Sequence, residues 1–370
     1  MRLLTQISFG FIRMGGIGGR GVTCPSAFNA GPDPQLSLIL CPYLINLIDK
    51  HAIVDRAMRT DVHQHLWSEP LVEGLAARDE LPFVRLERGL TVLYQAGERP
   101  CVIDRAGEEP ARRAALVERD GLDRALVSLS SPIGVERLPR EQAEPLLDAF
   151  HEGALALGGP FGVWGAIALD RPDPRDVDRA LERGCVGVSI PAGAIAGSGE
   201  LLALRGVLDR LETRGAPLFV HPGPGLDTAH RAARGELGEP LWWPALTDYI
   251  AGLQAAWLAF QAVGRPDHPR LRVIFSTLAG LAPLHAERLS ARGGPGHLAP
   301  DPLLFYETSS YGPLAIAAME SVVGSRQLLY GSDRPVLEPA RERLSGGLDW
   351  GLLTEVTLRA LGQPTGLAAL

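Results

Sequence analysis

Two histidines separated by a single residue are the clearest chemical signal in the sequence. They lie in Asp61-Val62-His63-Gln64-His65, a segment that is predicted to end a buried strand. Strand side chains alternate between two faces, so Asp61, His63 and His65 are expected to point the same way. Neutral imidazole is a common ligand of divalent transition metals, zinc in particular. The pair therefore suggests a metal site, although histidines at this spacing also flank solvated turns.

Two other apolar runs end in a potential metal ligand. His221 ends one of them, and Asp333 ends another that begins at Gln327. Taken singly, His221 could belong to a turn and Asp333 could cap a helix. Their significance depends on whether the fold brings them to His63 and His65.

From Met58 onward, short apolar and β-branched runs alternate with helical patterns. The predicted strands are Arg59–His65, Arg124–Ser130, Phe161–Leu169, Cys185–Ile190, Pro217–His221, Leu271–Thr277, Leu303–Thr308 and Gln327–Asp333. The predicted helices are Glu109–Asp120, Glu141–Leu157, Pro174–Arg183, Gly199–Arg214, Trp243–Val263, Ala282–Arg292 and Pro313–Gly324. Continuous apolar strands that alternate with helices are typical of a parallel sheet covered by helices. The alternation predicts an α/β fold, a (β/α)8 TIM barrel.

In such a barrel the active site lies at the carboxyl ends of the strands. His63 and His65 end the first predicted strand, His221 ends the fifth, and Asp333 ends the eighth. The fold therefore predicts that three imidazoles and one carboxylate meet at one rim and bind a divalent ion. Such a ligand set leaves room for a water molecule or a substrate oxygen.

Taken together, these segments resemble the amidohydrolase superfamily. The resemblance lies in Asp61-Val62-His63-Gln64-His65, Val220-His221-Pro222-Gly223 and Tyr330-Gly331-Ser332-Asp333-Arg334-Pro335. It covers about Met58 to Val336 and is closest to the amidohydrolase-related branch. That branch contains aminocarboxymuconate semialdehyde, γ-resorcylate and methylsalicylate decarboxylases. The resemblance implies that His63, His65, His221 and Asp333 bind one divalent ion, usually zinc and sometimes manganese. It also implies a homodimer or a larger assembly.

The sequence departs from the family at the end of the sixth strand. Family members usually have an acid/base histidine there, whereas this chain has Thr277. A threonine hydroxyl can position a water molecule but does not act as a general base near neutral pH. Asp333, Glu307 and His285 are the candidates for the missing role, and His285 is expected to point away. Asp333 and Thr277 are the predicted catalytic residues.

Aromatic and basic residues near the strand ends are candidates for substrate binding. Trp67 follows the first strand, Trp243 lies in the long segment after the fifth, and Tyr311 follows the seventh. Their rings could stack on a planar substrate or simply pack against loops. Arg334 could pair with a substrate carboxylate or form a structural ion pair.

Composition argues against several other classes of protein. A net charge of −7 gives no indication of a basic surface for nucleic acid. The four cysteines are scattered without a C-x-x-C pair, which argues against disulfides or a thiolate zinc site and predicts a cytoplasmic protein. Lys50 is the only lysine, so Schiff-base catalysis or a carbamate-bridged metal pair would need that residue.

The beginning of the chain differs from the rest. Met1–Ala57 is interpreted as an N-terminal extension outside the core, and residues 58–370 as the metal-dependent barrel. The apolar stretch Leu36–Ile48 is too short to span a membrane and is interrupted by Pro42. After the first strand, Leu90–Asp104 is predicted to form an inserted β-hairpin around Gly97.

The leading functional hypothesis is a metal-dependent, nonoxidative decarboxylase of an aromatic or dienoic carboxylic acid. In it, Asp333 protonates the ring carbon that carries the carboxylate. The alternative is a metal-dependent hydrolase of a lactone, amide or ester, with Asp333 as the base. A third hypothesis is a metal-binding pseudoenzyme, because the strand-six histidine is absent.

Overall fold

The computed structural model describes residues 58–223, 240, 242–294, 301–339 and 348–364. The interpretation of Met1–Ala57 as an extension falls on residues outside this description. The described part begins two residues before the first strand.

Eleven strands occur among the described residues. They are β1 (Thr60–His65), β2 (Phe83–Glu87), β3 (Leu90–Tyr94), β4 (Cys101–Ile103), β5 (Arg124–Ser128), β6 (Phe161–Ala166), β7 (Gly187–Pro191), β8 (Leu218–His221), β9 (Val273–Phe275), β10 (Leu304–Glu307) and β11 (Leu328–Leu329). β1 and β5 to β11 pair side by side, all parallel, in the order of the chain. Each of these strands overlaps one of the eight predicted strands.

Backbone hydrogen bonds connect the last strand of this sheet to the first. The amide of Val62 donates to the carbonyl of Tyr330 at 3.0 Å, and the amide of Asp333 donates to the carbonyl of His63 at 2.9 Å. Residues that follow β11 thus pair with β1, which closes the sheet. The predicted (β/α)8 barrel is confirmed.

Helices lie between the strands and cover the outside of the barrel. In the described residues they are α1 (Glu69–Ala76), α2 (Pro110–Arg119), α3 (Arg140–Ala156), α4 (Arg175–Glu182), α5 (Ser198–Arg214), α6 (Trp243–Leu246), α7 (Asp248–Ala259), α8 (Arg265–Asp267), α9 (Ala286–Ala291), α10 (Pro313–Val323) and α11 (Trp350–Leu361). A π-helical turn, Phe260–Gly264, joins α7 to α8.

Two of the predicted helices need correction, and two helices were not predicted. The sequence pattern gave no indication of α1 or α11. The predicted helix Trp243–Val263 is interrupted at Thr247, and the predicted helix Ala282–Arg292 is reduced to α9. A 3-10 segment, Thr277–His285, occupies the space between β9 and α9.

The barrel interior is filled by large apolar side chains below the carboxyl rim. Seven of the eight barrel strands contribute one residue each to this cluster: Val62, Leu126, Trp164, Phe219, Ile274, Phe305 and Leu329. All are fully buried. The ring of Phe219 packs edge-on against that of His63, with ring centroids 5.2 Å apart. The interior therefore forms a rigid apolar floor under the predicted metal ligands.

A small antiparallel sheet is inserted between α1 and α2. Its strand order is β2-β3-β4, and Arg88-Gly89 forms the turn between β2 and β3. The predicted hairpin corresponds to β3 and β4. The strand β2 was not predicted. Among the described residues, no helix has the length and apolar character needed to cross a membrane.

Candidate metal centre and substrate cleft

Four side chains converge at the carboxyl rim. His63, His65, His221 and Asp333 each offer a ligand atom, and these atoms all lie within 4.8 Å of one another. The Nε2 atom of His65 is central, at 3.2 Å from Nε2 of His63 and 3.1 Å from both Nε2 of His221 and Oδ1 of Asp333. The predicted ligand positions are thus brought together from β1, β8 and the residues after β11.

The opposite nitrogen of each imidazole faces a hydrogen-bond acceptor. Nδ1 of His63 lies 2.8 Å from a carboxylate oxygen of Glu307. Nδ1 of His65 lies 3.1 Å from the carbonyl of Ser128, and Nδ1 of His221 lies 2.6 Å from the carbonyl of Pro222. These acceptors place the proton on Nδ1 in all three rings, because a carbonyl or carboxylate oxygen cannot donate one.

With the protons on Nδ1, three Nε2 lone pairs and a carboxylate oxygen point at a common centre. Lone pairs 3.1 to 3.2 Å apart repel one another unless a cation lies between them. Burial, with help from the neighbouring His65 and His63, holds the pKa of His221 well below its usual range. That imidazole is therefore neutral, as a metal ligand must be. The residues fit one divalent ion.

Asp61 connects the end of β1, which carries His63 and His65, to the segment after β11, which carries Asp333. Its Oδ1 accepts the backbone amides of His63 and Ser332, both at 3.0 Å, and its Oδ2 accepts the side-chain amide of Gln64 at 2.8 Å. Asp61 was expected to point the same way as His63 and His65. It does not belong to the ligand group, whereas both histidines do. The pairing of β1 with β5 shifts register between Asp61 and Gln64, which breaks the regular alternation of side chains.

The three candidates for the missing acid/base role differ in position. Asp333 and Thr277 both line the cleft. Glu307 is fully buried and is absent from the cleft lining, because it lies behind His63. His285 is exposed at the end of the 3-10 segment, away from the cleft lining, as expected.

The segment that begins at Thr277 has an unusual backbone. Five consecutive residues, from Thr277 to Leu281, have φ values between +50° and +64°, and only Gly280 among them is a glycine. Left-handed backbone costs about 1–2 kcal/mol for each non-glycine residue. Its surroundings hold it in place: the carbonyl of Gly280 accepts the side-chain amide of Gln254 at 2.8 Å. Such backbone often occurs at functional sites.

A cleft of about 800 Å³ opens above the ligand group. Its lining is mostly apolar and includes Trp67 and Tyr311, two of the predicted substrate-binding residues. The inserted sheet supplies one wall through Gln95 and residues 97–102, a role that the sequence did not indicate. The predicted Trp243 is not in the lining, whereas its neighbour Trp242 is.

Arg334 does not face the cleft. Its guanidinium binds the carboxylate of Asp120, with Nε to Oδ2 at 2.6 Å, and that of Glu338 at 2.9 Å. The residue is only 3% exposed and is absent from the cleft lining. The structure therefore favours the structural ion pair over contact with a substrate carboxylate, because neither Asp120 nor Glu338 lines the cleft.

One further carboxyl, that of Glu136, is buried apart from the metal ligands and outside the cleft lining. Glu136 accepts the hydroxyl of Ser131 at 2.6 Å, while its second oxygen has no hydrogen-bond partner among the described residues. Burial raises the pKa of Glu136 to about 7, against the opposing effects of Ser131 and the charge of Arg137. The carboxyl is therefore largely protonated below neutral pH.

This shift predicts a pH-dependent stability that Glu136→Gln removes. The folded protein holds the Glu136 proton more tightly than the unfolded chain, so stability falls as pH rises from about 4.5 to 7. The loss is roughly 3 kcal/mol when complete. Urea unfolding at pH 5 and pH 8 should show the variant gaining stability relative to the wild type at pH 8. An equal difference at both pH values would contradict the assignment.

A TIM barrel with three imidazoles and one carboxylate at its carboxyl rim is the architecture of a metal-dependent enzyme. The amidohydrolase family profile matches residues 60–363. The chain belongs to the amidohydrolase family. No curated protein sequence matches it significantly.

Several solved structures have the same fold. The apo form of IDCase from Metarhizium anisopliae is 15% identical with a TM-score of 0.68, covering 83% of this chain and 97% of that one. A 5-carboxyvanillate decarboxylase from Novosphingobium aromaticivorans, in complex with manganese and 4-hydroxy-3-methoxy-5-nitrobenzoic acid, is 14% identical with a TM-score of 0.60, covering 83% and 96%. The 2,6-dihydroxybenzoate decarboxylase from Rhizobium is 16% identical with a TM-score of 0.58, covering 82% and 98%.

Proposed function

We propose that this protein is a metal-dependent, nonoxidative decarboxylase of an aromatic or dienoic carboxylic acid. The observation that carries the proposal is the convergence of three Nε2 lone pairs and the Asp333 carboxylate below a largely apolar cleft. Two of the similar structures described above are decarboxylases of hydroxylated benzoic acids. Zinc and manganese both suit this ligand set, and one of those decarboxylases holds manganese.

When bound, the ion supplies Lewis acidity and orients carboxylate and hydroxyl oxygens of the substrate. The apolar lining of the cleft, with Trp67 and Tyr311, receives the ring and excludes water. Excluding water strengthens the electrostatic interactions between the substrate and the site.

Asp333 is placed to move the proton. Its side chain is 17% exposed, lines the cleft and lies 3.1 Å from Nε2 of His65. In the proposed reaction the protonated carboxyl of Asp333 donates its proton to the ring carbon that carries the substrate carboxylate. The bond from that carbon to the carboxylate then breaks, its electron pair restores the conjugated system, and carbon dioxide leaves. Thr277, at the cleft lining, is proposed to position a water molecule or a substrate oxygen.

A second candidate is hydrolysis of a lactone, amide or ester, because the same ligand set leaves room for a water molecule. In that reaction Asp333 takes a proton from the attacking water. The same residues are used, but no bond between two carbons is broken.

Assays in deuterium oxide separate the two reactions. The enzyme, loaded with zinc or manganese, is incubated with a panel of hydroxybenzoates and aromatic lactones. Decarboxylation is expected to release carbon dioxide and to place one deuterium on the ring carbon that lost the carboxylate. Lactone opening without ring deuteration would replace the proposal by the hydrolase. Full metal occupancy without either product would favour a pseudoenzyme.

A further inference from the structure

Glu307 is a buried carboxylate that the proposed reaction does not use. It ends β10, its side chain is fully buried, and it lies on the side of His63 opposite the metal position. Among the three ligand histidines, only His63 has a carboxylate at Nδ1, since His65 and His221 meet backbone carbonyls. This difference requires an explanation, because a buried carboxylate is costly unless its environment compensates it.

Hydrogen-bond donors hold the Glu307 carboxylate in one orientation. Its Oε2 accepts the hydroxyl of Ser309 at 2.8 Å and the backbone amide of Thr277 at 3.2 Å. The backbone amide of Ser309 donates to its Oε1. With Nδ1 of His63, the carboxylate therefore has four hydrogen-bond contacts. These contacts compensate the burial of its charge and hold it in one orientation toward His63.

Two features of the backbone make room for this arrangement. A Cβ atom on Gly331 would collide with the carboxylate of Glu307, so the residue two positions before Asp333 has to be glycine. Thr277 has a left-handed backbone conformation, and its amide donates to the same carboxylate. Residues at the ends of β9, β10 and β11 thus contribute to one structure behind His63.

We propose that Glu307 is a positioning residue that sets the orientation and tautomer of His63 and thereby strengthens binding of the divalent ion. A carboxylate behind an imidazole ligand fixes the ring and makes it a better donor to the metal. Thr277 contributes its backbone amide to this carboxylate. The inference rests on the metal centre of the proposed function but not on the decarboxylation step.

The test is cobalt(II) binding to the apoprotein of Glu307→Gln. Glutamine keeps the size and one acceptor oxygen but removes the charge. The dissociation constant for cobalt(II) is expected to rise by about 10- to 100-fold, and the visible d–d absorption bands of the bound ion should shift. The matched control is Glu136→Gln, which makes the same change at another buried glutamate that contacts no ligand. Its cobalt(II) affinity and spectrum should equal those of the wild type.

The outcomes are separable. If the wild type binds cobalt(II) and Glu307→Gln binds it equally well with the same spectrum, the positioning role is overturned and the metal centre remains. If the wild type binds no divalent ion, the proposed function fails as well. Should Glu307→Gln not fold, Ser309→Ala decides, because it removes one donor to Glu307 and its contact of 3.2 Å with His63. A weaker but measurable loss of affinity supports the proposal, and an unchanged affinity rejects it.

Discussion

Replacing Asp333 by asparagine is expected to lower turnover by about 10³-fold, because proton transfer by a positioned side chain typically contributes 10²- to 10⁴-fold. Asparagine keeps the size and one oxygen of the side chain but cannot carry the proton. The three imidazoles remain, so cobalt(II) should still bind, with lower affinity because a neutral oxygen replaces a charged ligand. The structure supports both effects, since Oδ1 of Asp333 lies 3.1 Å from Nε2 of His65 and the side chain faces the cleft.

The measurement is single-turnover kinetics at saturating metal, with metal content determined on the same samples. At saturating metal, weaker metal binding by the variant no longer lowers turnover, so any remaining loss of turnover reports the missing proton donor. Turnover that returns to the wild-type rate at high metal concentration would limit Asp333 to a ligand role. The proton would then have to come from another group.

His65→Ala is expected to abolish stoichiometric metal binding, with turnover falling below detection. Its Nε2 atom is the one that lies within 3.2 Å of an atom of each other ligand. Removing it leaves a gap at the centre of the ligand group, and the remaining donors cannot close around one ion. Elemental analysis after dialysis gives the metal content directly.

His285→Ala provides the control for this experiment. It removes an imidazole of the same barrel that is exposed and lies outside the cleft lining. Metal content and turnover should match those of the wild type. Retention of one metal ion per chain in His65→Ala, together with normal turnover, would show that the ligand group has been assigned incorrectly.

Sequence reasoning was successful where chemistry and strand periodicity coincide. The four ligand positions follow from two observations: each lies at the end of an apolar run, and strand ends meet at one rim of a barrel. This is why His221 and Asp333 could be placed beside His63 and His65 despite their distance along the chain. The same reasoning recovered all eight barrel strands, because buried parallel strands are continuous apolar runs.

The remaining features depend on contacts that no local pattern encodes. Arg334 follows Asp333 directly, yet its guanidinium binds Asp120 and Glu338, two carboxylates that are absent from the cleft lining. Glu307 was considered only as an acid or base, since its position behind an imidazole depends on the packing of three strand ends. The left-handed backbone at Thr277 could not be predicted from the sequence either, because threonine does not favour that conformation.

Closure of the barrel between β1 and the residues after β11 has a consequence for how the protein matures. Two ligands belong to the first strand of the barrel and a third follows the last, so an ion bound by them would connect the two strands that close the barrel. An ion held there ties together segments separated by nearly the whole domain, as a covalent staple would. A chain still emerging from the ribosome cannot assemble this centre until the final strand is available. Binding of the ion by all four ligands is therefore expected only after the last strand has joined the barrel, and removal of the ion is expected to loosen the barrel earliest where its first and last strands meet.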